Sequence, residues 1–204
     1  MTILQDFLPK LKDHLLERIL RDVDNSSAVS NCSPDAVLLK QDRMYQHQIL
    51  RTNYTTYDIR RSQDVVNAST SHHNVMVLAD QGESQDEDQH LFRYARVLGV
   101  YHINAVYIGP GMVDYQPRRM EFLWVRWYRV IETANTGWCN FKLDCVQFPP
   151  VAEEGAFGFI DPSDVLRGCH MMPSFARGKV HLDGRGLSLC AHDSGDWAAY
   201  YVNR

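Results

Sequence analysis

The spacing of apolar residues changes along this chain. Between residues 1 and 23 they recur every three or four positions, at Leu4, Leu8, Leu11, Leu15 and Ile19. That stripe covers one face of a helix. Asp6 stands where an N-cap accepts from the first orphan N–H groups, and Pro9 falls in the first turn, where its missing N–H costs little. Arg18 and Arg21 complement the negative C-terminal end. The pattern predicts a helix over 1–23, packed on its own domain rather than offered to a partner. Residues 24–36, DNSSAVSNCSPDA, are rich in Ser, Asn and Asp and read as loop. A linker is expected over 24–43.

From about residue 37 the period shortens towards two. Strands are predicted at Met44–Leu50, Asn53–Ile59, Val75–Leu78, Phe92–Ile103, Met120–Val130 and Phe157–Ile160. The acidic stretch ADQGESQDEDQH separates two of them and reads as a mobile hairpin tip. A second loop, Ile108–Pro117, carries Gly109-Pro110-Gly111. Asp161-Pro162-Ser163-Asp164 reads as a turn entering a helical turn at Val165–Arg167, stopped by Gly168. Residues 178–195 are Gly-rich and irregular, and Trp197–Arg204 is an aromatic run without a stop signal, as in a domain cut at its C-terminal end. One helix followed by many strands predicts an α+β domain over 44–204 that is mainly antiparallel β, rolled or barrel-like.

Met120–Val130, MEFLWVRWYRV, is apolar on both faces. Phe122, Trp124, Arg126 and Tyr128 share one, and Leu123, Val125, Trp127 and Arg129 the other. A central, two-sided strand is expected, neighbouring the strand that carries Tyr94 and Tyr101. Aromatics on adjacent strands can cage a methyl-ammonium group by cation–π attraction or stack unpaired bases; they can equally be a barrel's core. Tyr94, Tyr101, Trp124, Trp127 and Tyr128 are therefore the candidate ligand-binding set.

Composition narrows the function classes. The chain has 204 residues, a net charge of -4, 45% hydrophobic and 23% charged residues, so neither whole-chain disorder nor a strongly basic nucleic-acid coat fits. No run reaches the roughly 18 apolar residues of a membrane span, and charged residues interrupt the first apolar segment as they would not in a secretion signal. Of the 21 basic residues, 16 are Arg, whose forked guanidinium suits phosphate, carboxylate and aromatic faces. Arg51, Arg60, Arg61, Arg118, Arg119, Arg126 and Arg129 lie in or beside predicted strands. They are the candidate nucleic-acid contacts, with pairing of Arg118 and Arg119 to Asp114 and Glu121 as the competing outcome.

Five cysteines at irregular spacing, without a signal peptide, point to free thiols in a reducing, intracellular compartment, nuclear or cytoplasmic. Cys139-x5-Cys145, Cys169-His170 and Cys190-x-His192 lack the knuckle spacing of structural zinc, and His72-His73-Asn74 has no acidic partner at a defined spacing. Neither a metal nor a cofactor is expected. There is no G-x-S-x-G, P-loop, G-x-G-x-x-G or H-E-x-x-H. Adjacent Cys169 and His170 would point to opposite faces of a strand. No catalytic residue is assigned and no enzyme is expected.

Several segments carry a resemblance. LPKLKDHLLERIL (8–20), ILRTNYTTYDIRRSQDVVN (49–67), YARVLGVYHIN (94–104), RMEFLWVRWY (119–128), FGFIDPSDVLRGCHMMPSFARGK (157–179) and DWAAYYVNR (196–204) resemble a C-terminal region of proteins encoded by basidiomycete fungal Plavaka transposons, relatives of CACTA-type elements. In that family the region follows the nuclease domain. This chain has neither the length nor the βαβ pattern of such a domain, so no catalytic carboxylate carries over. The order of three segments also resembles bromo-adjacent homology (BAH) domains, chromatin modules built on a distorted β barrel. Tyr94–Tyr101, Val125–Tyr128 and Arg167–Met172 take the places of that family's motifs, without its Pro after Tyr128. The resemblance implies an SH3/BAH-like barrel. Together these readings give a non-catalytic recognition module of a transposon-derived nuclear protein, with chromatin, DNA or another protein chain as partner and no membrane. A structural or oligomerisation domain of a transposase and a metal-dependent nuclease are the alternatives.

Overall fold

Burial of the apolar stripes organises the chain into two compact units in a computed structural model, which describes residues 6–22, 33–55, 58–79, 90–110, 114–131 and 143–203. The first unit comprises 1–47 and 101–122, the second 48–100 and 123–204. The acidic hairpin tip, Leu4, Cys32 and Cys139 lie outside the described residues.

In the first unit the helix α1 runs Phe7–Asp22, beginning directly after Asp6, whose carbonyl accepts from Lys10 N at 3.1 Å. Leu11, Leu15, Leu16 and Ile19 are buried, while Leu8 is exposed. The apolar face is therefore rotated slightly from the expected stripe, taking Leu16 in place of Leu8. It packs against a 3-10 turn at Pro34–Ala36 and against β1, Val37–His47. That strand starts seven residues before the predicted Met44, and Gln41 and Asp42 adopt positive φ within it. It pairs with β5, Phe92–Tyr107, whose C-terminal half belongs to this unit together with the start of β6, Arg118–Trp127. Arg18 donates to Glu121 O at 2.5 Å, and Val37, Ile103 and Phe122 are completely buried.

The second unit holds β2 (Leu50–Thr55), β3 (Arg61–Val66), β4 (Asn74–Leu78), β7 (Arg129–Val130), β8 (Cys145–Gln147), β9 (Phe157–Ile160), β10 (Val165–Gly168), β11 (His170–Pro173) and β12 (Tyr200–Asn203), with the remaining parts of β5 and β6. Its central sheet runs β10-β4-β5-β6-β9. All registered pairs are antiparallel, for example Val75↔Ala95 and Val125↔Gly158.

Alternation of side chains explains the layering. Val75 and Val77 of β4, Ala95 and Val97 of β5, and Leu123 and Val125 of β6 enter one core with Val66, Ile160 and Val165. Met76, Tyr94 and Tyr128 point the other way, into a second core with Val146, Met171, Tyr200 and Val202. The β2–β3 hairpin thus covers one face, and a four-stranded sheet, β11-β12-β8-β7, covers the other. A sheet covered on both faces needs apolar residues on both, which is why β6 has no polar side.

The α+β, mainly antiparallel class is as expected. The strand ladders are open, however, and do not close into a barrel among the described residues. Val165–Arg167 is strand rather than helical turn. The 3-10 turn precedes it at Pro162–Asp164, capped by Asp161, which accepts from Ser163 N, and Val165 is then drawn into register with Val77. No described helix is long and apolar enough to cross a membrane.

Candidate functional site

A cleft of about 630 Å³ opens in the second unit, within the range of ligand pockets, roughly 300–1,000 Å³. Its walls are two runs of consecutive residues, Gln63–Asn67 and Arg167–His170, completed by Thr70, His72, Asn74 and Asn203. Successive strand side chains point to opposite faces. When consecutive residues line one cavity, the cavity meets the strand along its edge. β3 is such an edge, paired among the described residues with β2 alone, with exposed Gln63 and Val65 alternating with half-buried Asp64 and buried Val66.

The cleft is held by short polar contacts. Asp64 Oδ2 accepts from Gly168 N at 2.9 Å and lies 3.9 Å from Arg167 Nε. The Arg167 guanidinium sits over the Tyr54 ring at 4.8 Å, and its buried Nε has no hydrogen-bond partner among the described residues. Residues 67–72 form a tight turn, with Asn67 N donating to His72 O and the Asn67 side chain accepting from Ser69 N. Cys169 and His170 both line the cleft because it follows an edge, so the opposite-face argument does not separate them here.

Asn74 ties the cleft to the interior. Its Oδ1 accepts from Tyr128 OH at 3.0 Å, and Tyr128 stacks on Phe148 with centroids 4.0 Å apart. Over the Phe148 ring lie two guanidinium groups, Arg96 at 4.4 Å and Arg126 at 4.0 Å. Both donate to one carboxylate, Asp196, at 2.6 and 2.5 Å. Burial opposes the charge of Arg96, yet Tyr128, Asp196 and Tyr200 outweigh it and raise its pKa. Beside this cluster, burial, Arg96 and His192 lower the pKa of His73 to about 4.

The four candidate aromatics of the second unit do not form an open cage. Tyr94 and Tyr128 belong to the second core, Tyr94 donating to Asp144 Oδ2 at 2.5 Å. Trp124 is buried near Phe157, and Trp127 packs on the first core with Arg93 over its ring at 3.8 Å. Tyr101 belongs to the first unit, where it packs against Phe122. The Phe148 ring is occupied by two of the protein's own cations, Arg96 and Arg126.

The candidate arginines are also dispersed. Arg126 is buried on Asp196, while Arg119 pairs with Glu121, Arg60 with Asp58 and Arg129 with Glu153. Arg51, Arg61 and Arg118 are exposed. Asp196, Asp193, Arg96 and the cleft residues carry no recognisable motif in the sequence; only a polar strand, RSQDVV, placed against a Gly-interrupted one would have suggested an accessible edge. Among the described residues no group of three or more His, Cys, Asp or Glu is placed to hold a metal ion. Comparison with protein-family models, curated proteins and solved structures gives no match.

Proposed function

We propose that this chain is a non-catalytic recognition module whose partner is a protein segment bound in the cleft of the second unit. The observation that carries this reading is the cleft itself, an accessible strand edge framed by Arg167, His170 and amide side chains and tied through Asn74 to buried Tyr128. A site on a stiff frame loses little conformational freedom on binding. Four of the seven candidate arginines already have carboxylate partners, which favours a protein over nucleic acid as ligand. The transposon resemblance supports reading it as a module of a nuclear protein with chromatin as its setting. The BAH-like assignment belongs to the same proposal: its three segments fall largely on β5, on β6 and on β10–β11.

The test is selection of random peptides on the immobilised chain, repeated with Asn203→Arg, which inserts a long side chain into the cleft. Peptides retained by the parent and lost with the variant support the reading. Peptides indifferent to the variant, or none retained, overturn it.

A second reading, oligomerisation, is favoured by one loop. Leu182, Leu187 and Leu189 are 92%, 77% and 96% exposed. The loop is not loose: Asp193, itself 2% exposed, accepts from Leu187 N and Ser188 N. Exposed apolar side chains on a loop held by such bonds suit a protein contact. A dimer by light scattering that reverts to monomer with Leu182→Ser and Leu189→Ser would support this reading.

A further inference from the structure

Resting on the cleft as the binding site, we infer that its ligand is an extended peptide that adds as a strand to the free edge of β3 and sets an acidic side chain against Arg167. The cleft follows Gln63–Asn67 residue by residue, so it exposes backbone rather than one row of side chains. In a ladder, alternate residues turn their N–H and C=O groups to opposite sides. β3 spends one side on β2, in register from Leu50↔Val66 to Thr55↔Arg61, and no strand pairs with the other among the described residues. An edge of this kind is a template for another extended chain.

Along the cleft the edge carries few blocking devices, since the exposed charge of Arg61 stands at the start of the strand, before the lining residues. β3 contains no proline, and its one acidic side chain, Asp64, turns away to Gly168 N and Arg167. The lining supplies the selectivity. Asp64 is held by Gly168 N, whereas the Arg167 side chain, 3.9 Å from Asp64, stays 37% exposed to the cleft, and His72 and His170 add imidazoles to the lining. Arg is suited to carboxylate in such a place because its fork is planar and preorganised. The peptide's remaining side chains meet Val65 and Val66 as well as the amides and hydroxyls of Gln63, Asn67, Thr70 and Asn203, so a segment of mixed polar and aliphatic side chains is recognised.

The experiment takes a peptide retained by the parent chain and methylates its backbone nitrogens one at a time. Strand addition predicts an alternating profile, in which every second N-methyl group lowers affinity by roughly tenfold and its neighbours leave it unchanged. Replacing the peptide's acidic residue by its amide should weaken binding to the parent and have little further effect on Arg167→Gln. A flat N-methyl profile, with binding still abolished in Asn203→Arg, overturns strand addition and leaves cleft recognition standing. Binding that survives Asn203→Arg overturns the cleft reading itself. An alternating profile with equal acid-to-amide losses on parent and Arg167→Gln overturns the charge assignment.

Discussion

Ile59 sits between β2 and β3 with φ at 62° and its side chain 86% exposed. A β-branched residue gains nothing from burial there and carries the steric cost of a left-handed backbone, of order 1–3 kcal/mol. Glycine accepts that conformation freely, although it also loosens the unfolded chain. Ile59→Gly should therefore stabilise the protein by about 1 kcal/mol, read as a higher urea midpoint with an unchanged slope. A lower midpoint would show that the side chain packs. His73 acts in the opposite sense. Its folded pKa, about 4, lies below the ordinary 6.5, because burial, Arg96 and His192 all oppose its charge. Protons then bind more tightly to the unfolded chain between these values. The contribution is complete above pH 6.5 and is lost as pH falls towards 4, to the extent of about 2 kcal/mol once solvent screening is allowed for. His73→Gln should flatten that part of the stability profile. An identical slope in parent and variant between pH 6.5 and 4.5 would assign the loss to other groups.

Between elements, Asp196 has the most to hold. It joins Arg96 of β5 to Arg126 of β6, while its carbonyl accepts from Val180 N and its own N–H donates to Asp193 O. Asp193 in turn gathers the loop before it. Burial alone would raise its carboxyl, but the N–H groups of Leu187 and Ser188, its own backbone N–H and the charge of Arg126 hold it below the usual range. Removing one member of a buried ionic group strands the others, so Asp196→Ala should cost about 3–5 kcal/mol in denaturant unfolding. A loss below about 1 kcal/mol would mean that water enters and solvates the two guanidinium groups. The sequence carried the strands that feed this cluster but not the cluster. Phe157–Ile160 is found at its predicted bounds, Val75–Leu78 within one residue, and β6 is apolar on both faces as its pattern requires. Those elements are long in apolar residues or bounded by turn signals. β8, β10, β11 and β12 have three or four residues each, too few for a period to show, and they form only because partners far along the chain supply the ladder. The same reasoning covers the site. Aromatic and arginine residues stand out in composition, yet Arg96 and Arg126 meet on Phe148 from three separate stretches of the chain, and nothing local encodes that meeting.

Charge is a property of the whole chain, and it bears on the partner. The first unit's sequence holds 8 basic and 9 acidic residues, the second 13 and 16, so neither is a basic body. Electrostatic attraction to a duplex needs cations free to replace condensed counterions. Arg126 is withdrawn into the interior, and Arg60, Arg119 and Arg129 each face a carboxylate. An exposed pair of this kind is worth little in stability, of order 0–1 kcal/mol, but it still cancels the field that would draw a phosphate. Arg118 is exposed beside Arg119, which makes this the segment where a phosphate contact would be easiest to build. Replacing both by Glu therefore tests the nucleic-acid alternative at its strongest point. The parent should show no saturable binding to duplex DNA at moderate salt, measured by fluorescence anisotropy, and Arg118→Glu with Arg119→Glu should not change the titration. Saturable binding in the parent, with an affinity that falls steeply with salt and a slope that the double substitution reduces by about one unit per phosphate no longer neutralised, would reverse the argument and make DNA the partner.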